Sequence, residues 1–279
     1  MHVTQILILA VVQGAAELLP ISSSAHVIVA EKLMGLDPTT PAMTLLLVML
    51  HTGTMFAVIV YFWKSWRATY FASFAVFRTQ ATFVVVATLM TAIVGVIVLK
   101  SISHLLAAPG FEVEHLFGNA KLMAAALAAA GVLIIVASRF DVGRDGRDVA
   151  LGSAVWIGAV QGLCLPFRGF SRSGATISTG LLLGLDRRRA EEFSFALAVV
   201  LTPPVVVREA LRLCRVQDPS SLVPGDLLQV AIPSLLGMVF SFVTGLLALR
   251  WLSSWLERGR WFLFGCYCLV ASVFVLWIG

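Results

Sequence analysis

Charge is what this sequence has least of. Only 13% of its 279 residues are Asp, Glu, Lys or Arg, and 59% are hydrophobic. A soluble domain carries about a quarter charged residues, so an ordinary water-soluble fold is excluded. Cysteine is as sparse. Cys164, Cys214, Cys266 and Cys268 include no CxxC spacing, which leaves a disulfide framework or a zinc site without support. They read as small apolar helix residues, with Cys266 and Cys268 on different sides of one helix. GxxxxGK[ST] and HExxH are missing too, so ATP hydrolysis and zinc proteolysis have no motif. The net charge of +5 reports loop arginines that orient a membrane protein; no nucleic-acid partner is expected.

What is present is apolar sequence in long runs. Residues 43–62, 82–99, 122–136 and 261–279 are of bilayer-spanning length, about 20 residues. The chain reads as an all-α, polytopic integral membrane protein, one membrane domain over 1–279. The first apolar run has no basic leader and carries a polar motif, so it does not read as a cleavable signal. Basic residues sort the loops. Lys64, Arg67 and Arg78 mark one, Arg139, Arg144 and Arg147 a second, Arg187 to Arg189 a third, and Arg250, Arg258 and Arg260 a fourth. Placed together in the cytoplasm, they force 151–165 and 173–185 to enter and return without crossing. Residues 3–19 and 23–34 follow the same grammar from the other side. Each half, about 1–140 and 149–279, is then a re-entrant helix pair plus three transmembrane helices, an inverted-topology repeat. Arg208, Arg212 and Arg215, which fall on the outer side, work against the rule.

Polar loops interrupt the two halves at matching points. The first runs Gln13-Gly14-Ala15-Ala16-Glu17-Leu18-Leu19-Pro20-Ile21-Ser22-Ser23-Ser24-Ala25-His26. The second runs Gln161-Gly162-Leu163-Cys164-Leu165-Pro166-Phe167-Arg168-Gly169-Phe170-Ser171-Arg172-Ser173-Gly174-Ala175-Thr176. Paired breaks of this kind point to a binding site near the midplane. Irregular backbone survives there only where protein or water satisfies it, so the two tips are expected to meet in one composite site.

The residue types suit phosphate. Ser22, Ser23 and Ser24 precede one helix, and Ser171, Ser173, Gly174 and Thr176 surround the start of another. Helix N-termini offer N–H groups and a positive dipole end to anions, although helix capping alone explains a serine there. Glu17 lies four residues from Gln13, on one helix face. A carboxylate at membrane depth is costly and therefore functional by default, as base, proton shuttle or metal ligand. His26 suits a general acid, a general base or a phosphoryl acceptor, and His51 a supporting role or a bond between helices. Arg172, between two serines, fits phosphate with its forked donors, and Arg168 is a second candidate. Asp141, Asp145, Asp148, Glu191 and Glu192 read as solvated partners of nearby arginines.

On these residues the chain resembles the bacterial undecaprenyl-diphosphatase (bacitracin-resistance) family. Gln13…Glu17 followed by Pro20-Ile21-Ser22-Ser23-Ser24-Ala25-His26, then Gly169-Phe170-Ser171-Arg172-Ser173-Gly174-Ala175-Thr176, are similar to its two motifs in order. Leu50-His51-Thr52-Gly53-Thr54, 187–195 and 241–252 also resemble family segments. The resemblance implies removal of the terminal phosphate from undecaprenyl diphosphate, which recycles the lipid carrier of cell-wall precursors. It implies catalytic roles for Glu17, Ser23, His26 and Arg172, a divalent cation (Mg2+ or Ca2+) with Glu17 as ligand, a homodimer, and a bacterial inner-membrane location with the site facing the extracytoplasmic side. Arg168 stands where the family has proline, which changes the loop and adds a charge. A polyprenyl-phosphate flippase using the same midplane site is the alternative. The lipid phosphatases that need a histidine after the Ser-Arg motif are excluded, because no histidine follows Arg172.

Overall fold

The computed structural model describes residues 2–37, 40–105, 119–141, 143, 145–216 and 224–278. The described residues form helices joined by short turns: α1 (Val3–Leu18), α2 (Ser23–Leu33), α3 (Pro41–Thr69), α4 (Phe74–Leu105), α5 (Ala120–Arg139), α6 (Leu151–Cys164), α7 (Arg172–Leu182), α8 (Arg187–Val216), α9 (Pro224–Glu257) and α10 (Phe262–Ile278). Five of them, α3, α4, α5, α8 and α9, are long and apolar enough to cross a bilayer. The 17 residues of α10 rise about 26 Å, slightly under a hydrocarbon core of about 30 Å. The fold is that of a polytopic all-α membrane protein.

Helices run further than the sequence suggests. Lys64 and Arg67, expected in a loop, ride on the last turns of α3; Arg78 lies on α4 and Arg250 on α9. Long basic side chains reach the headgroup layer from a continuing helix, so charge does not end it. Arg144 falls outside the described residues.

The helices flanking the polar loops are short: 16 and 11 residues for α1 and α2, 14 and 11 for α6 and α7. None exceeds about 24 Å at 1.5 Å per residue. The α6–α7 pair begins and ends at one surface. Arg147 N–H donates to the Gly184 carbonyl at 2.9 Å, and Asp186 N–H returns to the Arg147 carbonyl at 3.0 Å. Arg187 Nε meets Asp141 Oδ2 at 2.7 Å.

The glycines of the two Gln-Gly pairs serve packing. A Cβ on Gly14 would lie 2.7 Å from the Ser241 carbonyl oxygen, and one on Gly162 2.7 Å from that of Thr91. They let α1 lie against α9 and α6 against α4. Gly158 is tighter, its Cβ falling 2.2 Å from the Ala87 carbonyl oxygen. Gly158→Ala should therefore separate α6 from α4 and cost about 1–3 kcal/mol, the scale of overpacking. The check is thermal aggregation in detergent, where an unchanged midpoint would contradict the contact.

Asp145 and Asp148 are exposed as expected, but the other acidic side chains expected on the surface are covered. Glu191 and Glu192 are buried. Glu192 holds Arg188 and Arg189 at 2.9 and 3.2 Å and accepts from Ser65, while Glu191 accepts from Ser253. Asp141 is likewise nearly inaccessible, at 4%. A helix start that packs on α3 and α9 covers carboxylates whose neighbours in sequence look solvated.

Candidate active site

The first polar loop ends α1 with a sharp turn. Ile21 N–H donates to the Leu19 carbonyl at 2.8 Å, and Ser22 sits at φ 68°, the one non-glycine residue with positive φ among the described residues. L-residues avoid that region, and such strain collects at functional sites. Ser22 precedes α2, yet its side chain makes no capping bond; its hydroxyl meets that of Ser24 at 3.3 Å. Plain capping therefore does not account for the serine run. Ser22→Gly should relieve the strain, leave the detergent melting midpoint level or higher, and lower turnover by loosening the turn. A lower midpoint with full turnover would argue against strain at this turn.

Ser23 Oγ donates to Glu17 Oε2 at 2.5 Å. Gln13 Nε2 donates to the same oxygen at 3.3 Å. Across the molecule, Arg172 Nη2 donates to Glu17 Oε1 at 3.1 Å. The other Arg172 nitrogen, Nη1, is buried without a hydrogen-bond partner. His51 Nε2 stands 3.9 Å from Glu17 Oε2. Its Nδ1 donates to the Leu47 carbonyl at 2.8 Å, which leaves Nε2 turned toward Glu17.

Glu17, Ser23 and Arg172 border one cavity of about 280 Å³, lined also by Ser22 and Ser24 from the first loop and by Arg168, Ser171 and Ser173 from the second, while Gln13 and His51 stand behind Glu17 and not on the cavity wall. The loop tips do meet. Ser173 Oγ donates to the Leu19 carbonyl at 3.3 Å, tying α7 to the end of α1.

Other expected residues have structural work. Ser171 caps α7, accepting from Gly174 N–H at 3.2 Å. Gly174 packs under Ile134, which a Cβ would approach to 3.0 Å. Thr176 is buried against Ser194 at 2.6 Å and does not line the cavity. Gly169, at φ 104°, brings the loop against Met123.

His26 is not brought to Glu17 or Ser23. Its Nδ1 is 2.8 Å from the Ser22 carbonyl and its Nε2 is 2.6 Å from the Tyr267 hydroxyl. With the carbonyl fixing the proton on Nδ1, Tyr267 donates to Nε2. Tyr267 carries no signal in the sequence beyond being one of three tyrosines. Glu31 was also missed. It is buried on α2 with Oε1 unpartnered, and a lone acid in an apolar helix was the available sign.

Among the described residues no three His, Cys, Asp or Glu side chains converge as a metal cage. Glu17 is the one carboxylate on the cavity wall. That donor set fits a magnesium-type ion held by one carboxylate and by substrate phosphates.

Known sequences match this chain along nearly its whole length. The family model described as "Bacitracin resistance protein BacA" matches residues 6–274. Undecaprenyl-diphosphatase 2 of Acinetobacter baylyi is 62% identical over 99% of this chain and 98% of its own. Undecaprenyl-diphosphatases of Desulfosudis oleivorans and Korarchaeum cryptofilum are 34% and 31% identical, covering 99% or more of this chain and 99% of theirs.

Proposed function

We infer the activity from one premise: this chain belongs to the BacA bacitracin resistance protein family. It is an integral membrane phosphatase that hydrolyses undecaprenyl diphosphate to undecaprenyl phosphate and inorganic phosphate. The observation that carries the reading is the cavity where both polar loops meet, with Ser23, Glu17 and Arg172 in direct sequence of contact. Phosphate release from undecaprenyl diphosphate by purified protein in detergent tests it, since a flippase has no second compartment there. Absence of release from folded protein would return the flippase reading.

The chemistry we propose uses the chain's own groups. Arg172 holds the diphosphate with its unpartnered Nη1 and neutralises charge as it develops. Ser23 Oγ attacks the terminal phosphorus as Glu17 takes its proton. The Oγ–P bond forms, the bridging P–O bond breaks, and undecaprenyl phosphate leaves. Water then cleaves the phosphoserine to inorganic phosphate. A divalent ion bound by Glu17 and the substrate oxygens would supply further charge neutralisation. Chelator in the same assay checks that contribution.

The inverted repeat is part of this proposal. Contacts of α1 with α9 and of α6 with α4, and the direct packing of α3 on α8, are those that exchange of the two halves requires. The shared surface of 143–147 and 184–187 supports a re-entrant α6–α7 pair. Cysteines placed singly at Asp145 and Arg188 should label with an impermeant reagent from the same side of the membrane. Labelling from opposite sides would remove the re-entrant pair. In this frame the protein sits as a homodimer in the bacterial inner membrane, with the cavity open to the extracytoplasmic side.

A further inference from the structure

The polar cavity holds the charged and hydroxyl groups suited to the head of a polyprenyl diphosphate, and the long tail must leave it. A second cavity, of about 300 Å³, opens one turn further along α2, at the lower end of the size range of small-molecule sites. Its near wall is Ala25, His26 and Val29 of α2; its far wall is a stripe of α10 from Tyr267 to Val275. Apart from the His26 ring edge and the Tyr267 hydroxyl, the side chains of both walls are apolar. The opposite side of α10 is occupied, because Gly265 packs on Gly131 of α5 so closely that a Cβ would lie 2.7 Å from the Gly131 carbonyl oxygen.

Position ties this groove to the catalytic cavity. Ser22, Ser23 and Ser24 line the polar cavity, and the next two residues, Ala25 and His26, line the groove. A substrate whose head and tail are covalently joined must pass from one environment to the other within about one helical turn, and α2 makes that change within five residues. The packing of the two halves also differs here. α7, which follows the second Ser-rich turn, lies directly on α5, whereas α2, which follows the first, does not pack closely on α10. α2 reaches α10 through polar contacts instead: His26 to Tyr267 at 2.6 Å, and Lys32 Nζ to the Ile278 carbonyl at 2.9 Å. The groove lies between those two points.

We propose that the groove between α2 and α10 seats the first isoprene units of the lipid substrate, with Tyr267 at the boundary between head and tail. The identity of the head rests on the phosphatase reading above. Tyrosine suits the boundary, since its ring offers an apolar face and its hydroxyl a polar end. The groove does not act by hydrophobic drive, because bilayer lipid is as apolar as the walls. It acts by orientation: fixing the first isoprene units fixes the phosphorus relative to Ser23 Oγ.

Filling the groove from α10 tests this. Ala271→Phe should lower kcat/KM for farnesyl diphosphate by about 10²-fold, the scale of a misplacement of about 1 Å, and leave kcat/KM for dimethylallyl diphosphate within about twofold. Ala271→Leu, a milder change, should give a smaller effect in the same direction and keeps the test open if the phenylalanine variant misfolds. The second readout is independent of turnover: a benzophenone-bearing farnesyl diphosphate should cross-link within 267–275, and Ala271→Phe should abolish that label. Equal loss for both substrates, no change for either, or wild-type label elsewhere would overturn the groove. Oxidative cross-linking of two copies through Val270→Cys would overturn it too, by assigning the stripe to a dimer contact. Label in the groove without phosphate release would keep the groove and discard the phosphatase reading.

Discussion

Glu17→Gln is expected to lower turnover by about 10³-fold, within the range for removing a general base, and adding Ser23→Ala to it is expected to cost little more. The reason is the 2.5 Å bond from Ser23 Oγ to Glu17 Oε2. The carboxylate is the group placed to receive the serine proton, and without its charge the hydroxyl is an unactivated alcohol. Groups that act as one unit lose activity non-additively. His26 belongs to a different unit. The sequence groups it with Glu17 and Ser23 because the three lie within ten residues, but its ring engages Ser22 and Tyr267. His26→Ala should therefore add its loss to that of Ser23→Ala rather than vanish within it. Single-turnover phosphate release, with lipid binding measured separately on variants matched by gel filtration, separates these cases. Full additivity of Glu17→Gln with Ser23→Ala would dissolve the pair. Normal turnover with poor binding in all the single variants would make these residues headgroup ligands.

Arg172→Ala should reduce turnover by about 10²–10³-fold, the scale for losing one stabiliser of transition-state charge. Arg172 does two things at once. One arm balances Glu17 at 3.1 Å, and the other, Nη1, is buried and unpartnered. A buried donor left without a partner is costly, and an incoming phosphate oxygen would remove that cost. Lysine can replace the contact with Glu17 but not both arms, so Arg172→Lys should recover part of the loss and not all of it. The loss should appear in kcat more than in KM. A folded Arg172→Ala protein with near-normal turnover would falsify the phosphate role.

Much of the cavity was legible because polar residues in an apolar chain are conspicuous. Glu17, Ser23, Arg172, Arg168 and the flanking serines stand out on cost alone, and the cavity does gather them. The division of labour among them was not legible. Ser171 and Thr176 look like further phosphate ligands, yet one caps α7 and the other bonds Ser194 on α8. The partner in each bond is tertiary or conformational, and spacing does not reveal it. Tyr267 is 241 residues from His26 and lies in a helix with no polar pattern. Glu191 and Glu192 were misread as solvated because arginines beside them in sequence suggest a wet helix start. Burial was decided by α3 and α9, which arrive from elsewhere in the chain. The helix class and the short helices beside each loop follow from run length, while the reach of α3, α4 and α9 past their apolar runs does not, since basic residues do not stop a helix.

The backbone at the break between α1 and α2 is held by residues that are made late. The Leu19 carbonyl accepts from Ser173, and the Pro20 carbonyl from Cys268 Sγ at 3.3 Å. During synthesis the first loop enters the membrane long before either donor exists, and Cys268 lies close to the end of the chain. The Leu19 carbonyl has Ile21 N–H from the start, but until Cys268 arrives the Pro20 carbonyl faces lipid that cannot satisfy it, so this turn is where a nascent chain is open to membrane chaperones and proteases. Chains terminated just before Cys268 retain every residue of both motifs, yet they should be cleared rather than accumulate as inactive enzyme.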